Sequence, residues 1–355
     1  MHCLFVNLLD FKIQIQTSKD YMSKEIRISK GLDIRLVGAA ALSITDAIKS
    51  NFYTLRPDDF HGVTPKLAVK AGAKLKAGET VFFDKANEAI KFVTPVSGEI
   101  LEITRGDKRR ILEVKIKADK KISFKTHKIP TLITAQADEI KSLLLASGCW
   151  PFIKQRPYDV IAKPERQPKA IFISAHATAP LAVDYNFTLQ GKEVELQAAV
   201  TALSKLTDGP VHVGVSKTLD SPFKDLQGIC IHKLSGPHPS GNVGTLINKI
   251  DPINKGETVW TIAPQDLVII GELLLTGIYN AERTIAMVGS QIEAPRYLKT
   301  RIGSEVATMI YDRGIQKDAH ARIISGNVLC GMEVKPDGFL DFYSDVITVI
   351  PEGDD

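Results

Sequence analysis

Cysteine is scarce in this sequence and widely scattered. The four residues, Cys3, Cys149, Cys230 and Cys330, form no Cys-x-x-Cys pair. That excludes a zinc or iron–sulfur site built from neighbouring thiolates. The spacing is that of reduced thiols, since a disulfide framework would be denser. Long uncharged apolar runs are also missing. A membrane-spanning helix needs about 20 such residues. The best run, Leu267 to Leu275, is interrupted by Glu272 and is expected to be a buried helix. Charge of one sign is lacking too: 45 Lys and Arg against 41 Asp and Glu leave a net +4. A field strong enough to recruit nucleic acid is therefore not expected. What is present is ordinary: 44% apolar and 24% charged residues, with 25 Gly and 18 Pro. Disordered, collagenous and disulfide-knot classes are excluded, and 355 residues imply two or three domains.

The first residues, Met1 to Leu9, are apolar but lack a basic n-region and an A-x-A-like cleavage site, which argues against a secretory signal. Met22 opens a better-patterned stretch. Residues 1–22 are thus read as a leader, poorly ordered or preceding the true start. Domain one is expected over 23–128. It begins with a short strand from Ile26 to Ile34 and continues as short strands with regular Gly turns, a small barrel or sandwich. The pattern then changes. Over 129–282 helical spacing at Ala137–Gly148, Glu193–Leu206 and Pro264–Thr276 alternates with strands at Lys169–Ser174, Pro210–Val215 and Gly228–His232. That alternation argues a doubly wound α/β sheet. The stretch Pro151–Gln167 is rich in Pro and charge and is expected to cross the surface. Residues 283–334 read β-turn-β-helix-β, a β-grasp pattern, and 335–355 read as a hairpin leading into a helical region beyond the sequence.

Two motifs invite chemistry. Asp84-Lys85-Ala86, between Lys70–Gly78 and Pro95–Gly98, resembles the biotinyl/lipoyl carrier fold, in which a hairpin-tip Lys is acylated. The interval from Lys85 to Pro95 is about two residues longer than in that pattern, and a solvated structural Lys85 is the plainer account. The second is the loop Gly236-Pro237-His238-Pro239-Ser240-Gly241-Asn242-Val243-Gly244-Thr245. Backbone amides of such a turn can cradle an anion at a helix N-terminus. Gly236, His238, Ser240 and Gly241 are the candidate cofactor-binding residues. The alternative is a tight structural turn capped by Ser240. His176 and His238 follow a strand and a Gly-Pro turn, where reactive groups often sit. His212 and His232 fall within apolar strands and read as core or edge residues. No catalytic nucleophile and no metal site is expected. Arg105-Gly106-Asp107-Lys108-Arg109-Arg110 reads as a solvated hairpin tip.

Taken in order, several segments resemble the NqrA family, the A subunits of Na+-translocating NADH:quinone oxidoreductases, relatives of RnfC and of the flavin subunit of respiratory complex I. They are Lys30-Gly31-Leu32-Asp33, Phe83-Asp84-Lys85, Val96-Ser97-Gly98, Arg105–Arg109, Lys169-Ala170-Ile171-Phe172, Gly236–Gly241, Leu275-Thr276-Gly277 and Val349–Gly353. The resemblance implies a barrel-sandwich (biotinyl/lipoyl-like) domain, a Rossmann-like α/β domain and a β-grasp domain of SLBB type. FMN-binding relatives carry an Asn and acidic residues between a strand and a following Pro, and a Gly-Glu-Glu run in the Gly loop. Here those segments read Ser174-Ala175-His176-Ala177-Thr178-Ala179-Pro180 and Gly241-Asn242-Val243. The Rossmann-like domain is accordingly expected to be degenerate, without FMN or NADH, and the RnfC cysteine clusters are absent from the sequence.

The resemblance further implies a peripheral component on the cytoplasmic side of the bacterial inner membrane. It would dock on the other subunits of the complex, chiefly the membrane-embedded NqrB. It would contribute to ubiquinone binding and reduction to ubiquinol, coupled to Na+ export. The isolated chain would be inactive and hold no redox cofactor. The alternative is a free-standing oxidoreductase with flavin or NADH in the Rossmann-like domain.

Overall fold

The computed structural model describes residues 23–310, 315 and 320–353, so the leader over 1–22 lies outside the described residues. The barrel-sandwich is built from two facing sheets. One orders Phe52–Leu55, Ile111–Ala118, Gly98–Arg105 and Lys74–Leu75; the other orders Pro65–Leu67, Thr80–Asp84 and Asn87–Val93. Their inward side chains, among them Val81, Phe82, Phe92, Ile100, Val114 and Ile116, are buried. Phe82 stacks on Phe92 with ring centroids 4.7 Å apart. Lys85 is exposed in the turn between Thr80–Asp84 and Asn87–Val93.

The second domain is a seven-stranded sheet. Cys230–Ser235, Val211–Ser216, Ile171–Ser174 and Val259–Thr261 lie side by side and parallel. Ile171 and Ile173 share a core with Leu196, Ala199, Leu267 and Ile270 of the helices Glu193–Ser204 and Pro264–Thr276. Phe172 turns the other way, onto Leu246 and Ile247 of helix Val243–Ile250. Helices on both faces make the sheet doubly wound. The two helices of the first face pack tightly because residue 271 is glycine: a Cβ there would stand 1.9 Å from the Glu195 carbonyl oxygen. Helix boundaries follow local chemistry. Pro264 opens one helix and Gly277, at φ +74°, closes it. Helix Ala137–Ser147 starts with a Gln136/Glu139 capping box and stops at Gly148, φ +79°.

The third domain is a six-stranded sheet ordered Met332–Glu333, Ala321–Ser325, Val346–Pro351, Glu282–Val288, Arg296–Arg301 and Ala41–Asp46. A short helix, Ala307–Ile310, caps its core. No described helix is long and apolar enough to cross a membrane.

Three expectations are corrected. The N-terminal strand is Glu25–Arg27 and does not join the barrel. It adds to the α/β sheet, parallel to Cys230–Ser235, because Ile26 finds its apolar partners, Leu234 and Leu246, there. The surface crossing over 151–167 is half interior. Trp150, Phe152 and Ile153 are buried, and Lys154–Arg156 and Val160–Ile161 extend the sheet as an antiparallel hairpin. Apolar Trp-Pro-Phe-Ile outweighs the charges that follow it. The C-terminal hairpin is not one. Gly338–Tyr343 makes no strand, and Val346–Pro351 is a central strand between Ala321–Ser325 and Glu282–Val288. Its unbroken run Val346-Ile347-Thr348-Val349 is buried on both faces, as a central position requires.

Candidate functional site

Parallel strands of such a sheet end along one edge, and ligands of this architecture bind in the crevice outside it. Here the crevice is crossed by protein. Ser174, at the end of its strand, donates from its hydroxyl to the Gly241 carbonyl oxygen at 2.7 Å. The Gly241 N–H donates to Thr178 Oγ1 at 3.0 Å. Thr178 Oγ1 also lies 3.2 Å from His238 Nδ1. The Thr178 hydroxyl, with one proton and two lone pairs, can accept from Gly241 and still either donate to the His238 ring nitrogen or accept from it.

The N-terminal segment closes the other side of the loop. Leu32 N–H donates to the His238 carbonyl at 2.9 Å, and Asp33 Oδ1 accepts from the His238 N–H at 3.0 Å. Gly236, at φ +114°, lies so close to residue 28 that a Cβ would stand 2.0 Å from the Ile28 carbonyl oxygen. Three amides inside the turn are engaged. Ser240 N–H bonds Pro237 O at 2.9 Å and Asn242 N–H bonds Pro239 O at 3.0 Å, beside the Gly241–Thr178 bond. Ser240 is buried and its hydroxyl donates to Gly236 O at 2.8 Å.

Of the four candidate residues, then, His238 and Gly241 meet at the Thr178 hydroxyl, while Gly236 and Ser240 hold the turn together. His176 lies beside them, half-buried, with Nε2 unpartnered and its pKa lowered by burial. Sequence reasoning missed Thr178 as the crossing residue and Asp33 as the carboxylate. Asp33 comes from a segment 205 residues away, which no local pattern announces.

The fit at Gly241 is tight on its own account: a Cβ there would stand 2.1 Å from the His176 carbonyl oxygen. Gly241→Ala is expected to destabilise the protein by about 1–3 kcal/mol, because backbone has to shift. Gly244→Ala, three residues on and with nothing within 4 Å of the new methyl, is expected to be neutral or to stabilise helix Val243–Ile250 by up to about 1 kcal/mol. Denaturant unfolding of the two variants checks both, and equal midpoints would contradict the closed geometry.

Two cavities lie apart from this loop. One, of 490 Å³, is lined by Lys24, Lys217, Lys224 and Lys233 with Glu25 and Asp220. Two of its cations are paired, Lys217 with Glu25 and Lys224 with Asp220. The other, of 350 Å³, is lined by the apolar Ile129, Pro130, Leu143 and Ala146 and by the polar Glu139 and Ser142. His127 and Lys128 also line it, and His127 Nε2 is buried without a hydrogen-bond partner. Burial first, then Lys125 and Lys91, lower the His127 pKa, so the ring is neutral at pH 7. No group of three or more His, Cys, Asp or Glu residues that could hold a metal occurs among the described residues.

A barrel-sandwich, a doubly wound α/β sheet and a β-grasp sheet in this order define a three-domain chain of NqrA type. Residues 26–119 match the NqrA N-terminal barrel-sandwich hybrid domain, residues 135–279 the NqrA second alpha/beta domain, and residues 284–335 the NQRA C-terminal domain. The chain is 35% identical to the A subunit of the Na(+)-translocating NADH-quinone reductase of Neisseria meningitidis serogroup A over 331 residues, covering 92% of this chain and 74% of that one. Against the corresponding protein of Serratia proteamaculans it is 33% identical over 335 residues, 93% and 74% of the two chains. Against that of Haemophilus influenzae it is 33% identical over 334 residues, again 93% and 74%. The chain belongs to the NqrA family, the A subunits of the Na+-translocating NADH-quinone reductases.

Proposed function

We propose that this chain is the peripheral NqrA component of a Na+-translocating NADH:quinone reductase, working without a redox cofactor of its own. It sits on the cytoplasmic face of the membrane, docks chiefly on the membrane-embedded NqrB, and takes part in handling ubiquinone. Kinship with the named relatives over more than nine-tenths of the chain supports the assignment to the complex. The observation that carries the cofactor-free reading is the crossed crevice. A flavin or dinucleotide needs open space at the strand ends and free groups for its sugar hydroxyls. Here Ser174 and Thr178 bond the Gly241 backbone across that space, and Asp33 already accepts from His238.

For the quinone, the cavity beside His127 fits better than the lysine-lined groove. A quinone ring needs apolar walls and few polar anchors; Ile129, Pro130, Leu143 and Ala146 supply apolar wall, and the neutral His127 imidazole on the same lining can donate from its protonated nitrogen to a carbonyl oxygen. The test is purification of the full-length protein with its complex, an absorbance spectrum of the separated chain, and a quinone titration. The expected results are co-purification, no flavin band, and saturable quinone binding that weakens about tenfold, a loss near 1.4 kcal/mol, in His127→Phe. A stoichiometric flavin chromophore on this chain overturns the reading in favour of a free-standing flavin enzyme. Unchanged binding in His127→Phe removes only the cavity assignment.

A further inference from the structure

Charge is unevenly spread along the chain. Residues 51–128, the barrel-sandwich and the segment leaving it, hold 17 Lys and Arg against 10 Asp and Glu, a net +7, whereas the whole chain carries +4. The remainder is net acidic. The basic excess gathers at one end of the barrel. There the segment Asp119–Lys125 runs beside the strand Lys74–Leu75. Ala77 N–H donates to Ser123 O at 2.9 Å, Lys125 N–H donates to Ala77 O at 2.9 Å, and Asp119 N–H donates to Ser97 O at 2.8 Å. Lys74 and Lys117 flank Glu99 in the cross-strand register. Lys74, Lys76, Lys117, Lys120, Lys121 and Lys125 thus share this end. The first five are exposed and Lys125 is half-buried.

The acids at this end are Glu79, Glu99 and Asp119, and Glu79 already accepts from the Lys76 N–H at 2.7 Å. Neighbouring elements add Arg301, over the Phe124 ring, and Glu272, which accepts from Asn280. Lys299 and Glu282 cancel in an ion pair. With all of these counted, the six lysines and Arg301 exceed the acids by three charges. The barrel's ion pairs join Arg56 to Asp59, Lys66 to Glu88 and Arg110 to Asp58. Among the described residues none of the six lysines takes part in one.

We infer that this end of the barrel lies against the anionic headgroups of a bilayer and holds the chain there by charge. The inference deepens, and rests on, the reading that the chain is a peripheral component on the cytoplasmic face of a membrane, whose leaflet carries a negative surface potential. Composition selects lipid over a protein partner. Protein interfaces deplete lysine and build their centres from aromatic residues and arginine. None of the fifteen large hydrophobic side chains exposed among the described residues lies in these segments, so a protein would find nothing there to bury. A diffuse layer of phosphates suits lysine, a point charge on a flexible stem that needs no fixed partner geometry. The placement also fits the cavity assigned to quinone. Lys125 and Lys91 act on the His127 ring, and Lys128 and Glu139 lie on the cavity wall. Docking by the lysines brings that cavity to the membrane in which a quinone is dissolved.

The experiment floats the purified full chain with vesicles of mixed phosphatidylglycerol and phosphatidylcholine, and with vesicles of phosphatidylcholine alone. A triple variant, Lys74→Gln with Lys120→Gln and Lys121→Gln, is compared with wild type. The control is Lys163→Gln with Lys249→Gln and Lys255→Gln, three exposed lysines of the α/β domain outside the ion pairs. It removes the same charge from another surface. Wild type is expected to float with the anionic vesicles only, and less as salt is raised. Each lysine at such a surface is worth about fivefold in affinity, so the first triple variant should bind at least about tenfold more weakly, and the control within about twofold of wild type. All three proteins should melt within a degree or two of one another.

Four outcomes overturn the inference. Equal losses in the two triple variants trace binding to net charge and remove the docking face. Flotation with phosphatidylcholine alone, unchanged by salt, shows that charge does not hold the chain. Wild type that co-purifies with the other components of the complex but does not float removes the lipid face and leaves the assignment to the complex standing, whereas wild type that does neither removes both. Loss of co-purifying components in the Lys74, Lys120 and Lys121 variant, with no flotation of wild type, assigns the lysines to an acidic protein surface.

Discussion

Acidification from pH 7 to pH 4.5 is expected to weaken the α/β domain through two histidines that its sheet keeps neutral. His212 and His232 are 2% and 1% exposed, with His212 Nδ1 2.9 Å from His232 Nε2. The Lys24 N–H donates to His232 Nδ1 at 3.1 Å. That bond leaves the proton of His232 on Nε2, where it is donated to His212 Nδ1, so the two rings form a directed chain that registers the first strand on the sheet. Burial lowers both pKa values from 6.5 to about 4; His232 adds to the effect on His212, and Lys24 to that on His232.

Below pH 6.5 the unfolded chain takes up protons that the folded one refuses. Stability therefore falls as pH drops from about 6.5 and levels off near 4. At pH 4.5 the loss is roughly 2–3 kcal/mol per ring. Two carboxyls act in the opposite sense. Burial raises Asp59 to about 7 and Asp266 to about 6. These acids bind their protons earlier in the folded state and add stability as pH falls. A melting curve of wild type alone is thus a sum of opposed contributions. The comparison that isolates the rings is His212→Asn, whose amide oxygen takes the place of Nδ1 as acceptor but does not titrate. Its stability at pH 7 is expected to be lower. Its pH slope between 6 and 4.5 should be shallower by about one proton, or roughly 2 kcal/mol over the interval. Parallel curves for the two proteins would show that the rings already titrate normally.

How much of this was legible beforehand depended on how local the cause is. The Pro264 start and the Gly148 and Gly277 stops are chemistry of single turns, and the helices lie where that chemistry puts them. The barrel was readable for the same reason: its hairpin strands alternate and its turns carry glycine. Pairings set far along the chain left no such mark. Ala41 meets Arg296 and Glu25 meets Lys233, so two neighbouring strands of the N-terminal segment serve different sheets. Nothing in Glu25–Asp46 itself states which. The crevice was half legible. The lack of acidic residues before Pro180 and in the Gly loop could be read directly. The hydroxyl of Thr178 that ties the loop down could not, because a Thr after a strand has many possible partners. The histidine pair is intermediate: two His residues on adjacent apolar strands invite the idea of a core position, but their contact depends on the register His212 to Cys230 and Gly214 to His232.

The largest loss from a single substitution is expected at Arg283. Its guanidinium bonds Asp266, and both side chains are almost wholly buried, at 1% and 2% exposed. Asp266 belongs to helix Pro264–Thr276 and Arg283 to strand Glu282–Val288, so the pair joins the α/β sheet's helical layer to the third domain. Arg283 also donates to the Ser344 carbonyl at 3.3 Å, and Gln265 beside it exchanges two bonds with Thr284, N–H to Oε1 at 2.9 Å and Nε2 to the carbonyl at 2.7 Å. Burial raises the Asp266 pKa and Arg283 is the first influence holding it down.

Arg283→Met keeps the volume but strands that carboxylate in the interior. The expected cost is about 3–5 kcal/mol at pH 8, as for other buried pairs broken on one side. The carboxyl escapes part of it by taking up a proton, so the cost should shrink as pH falls toward 5. The double change Asp266→Leu with Arg283→Met removes both charges and is expected to recover most of the loss, since replacing a buried pair with apolar residues is often close to neutral. Urea unfolding of the four proteins at pH 8 and pH 5.5 measures the coupling. If Arg283→Met loses under 1 kcal/mol at pH 8, or if the double variant is no better than the single, the pair is not what fastens the two domains.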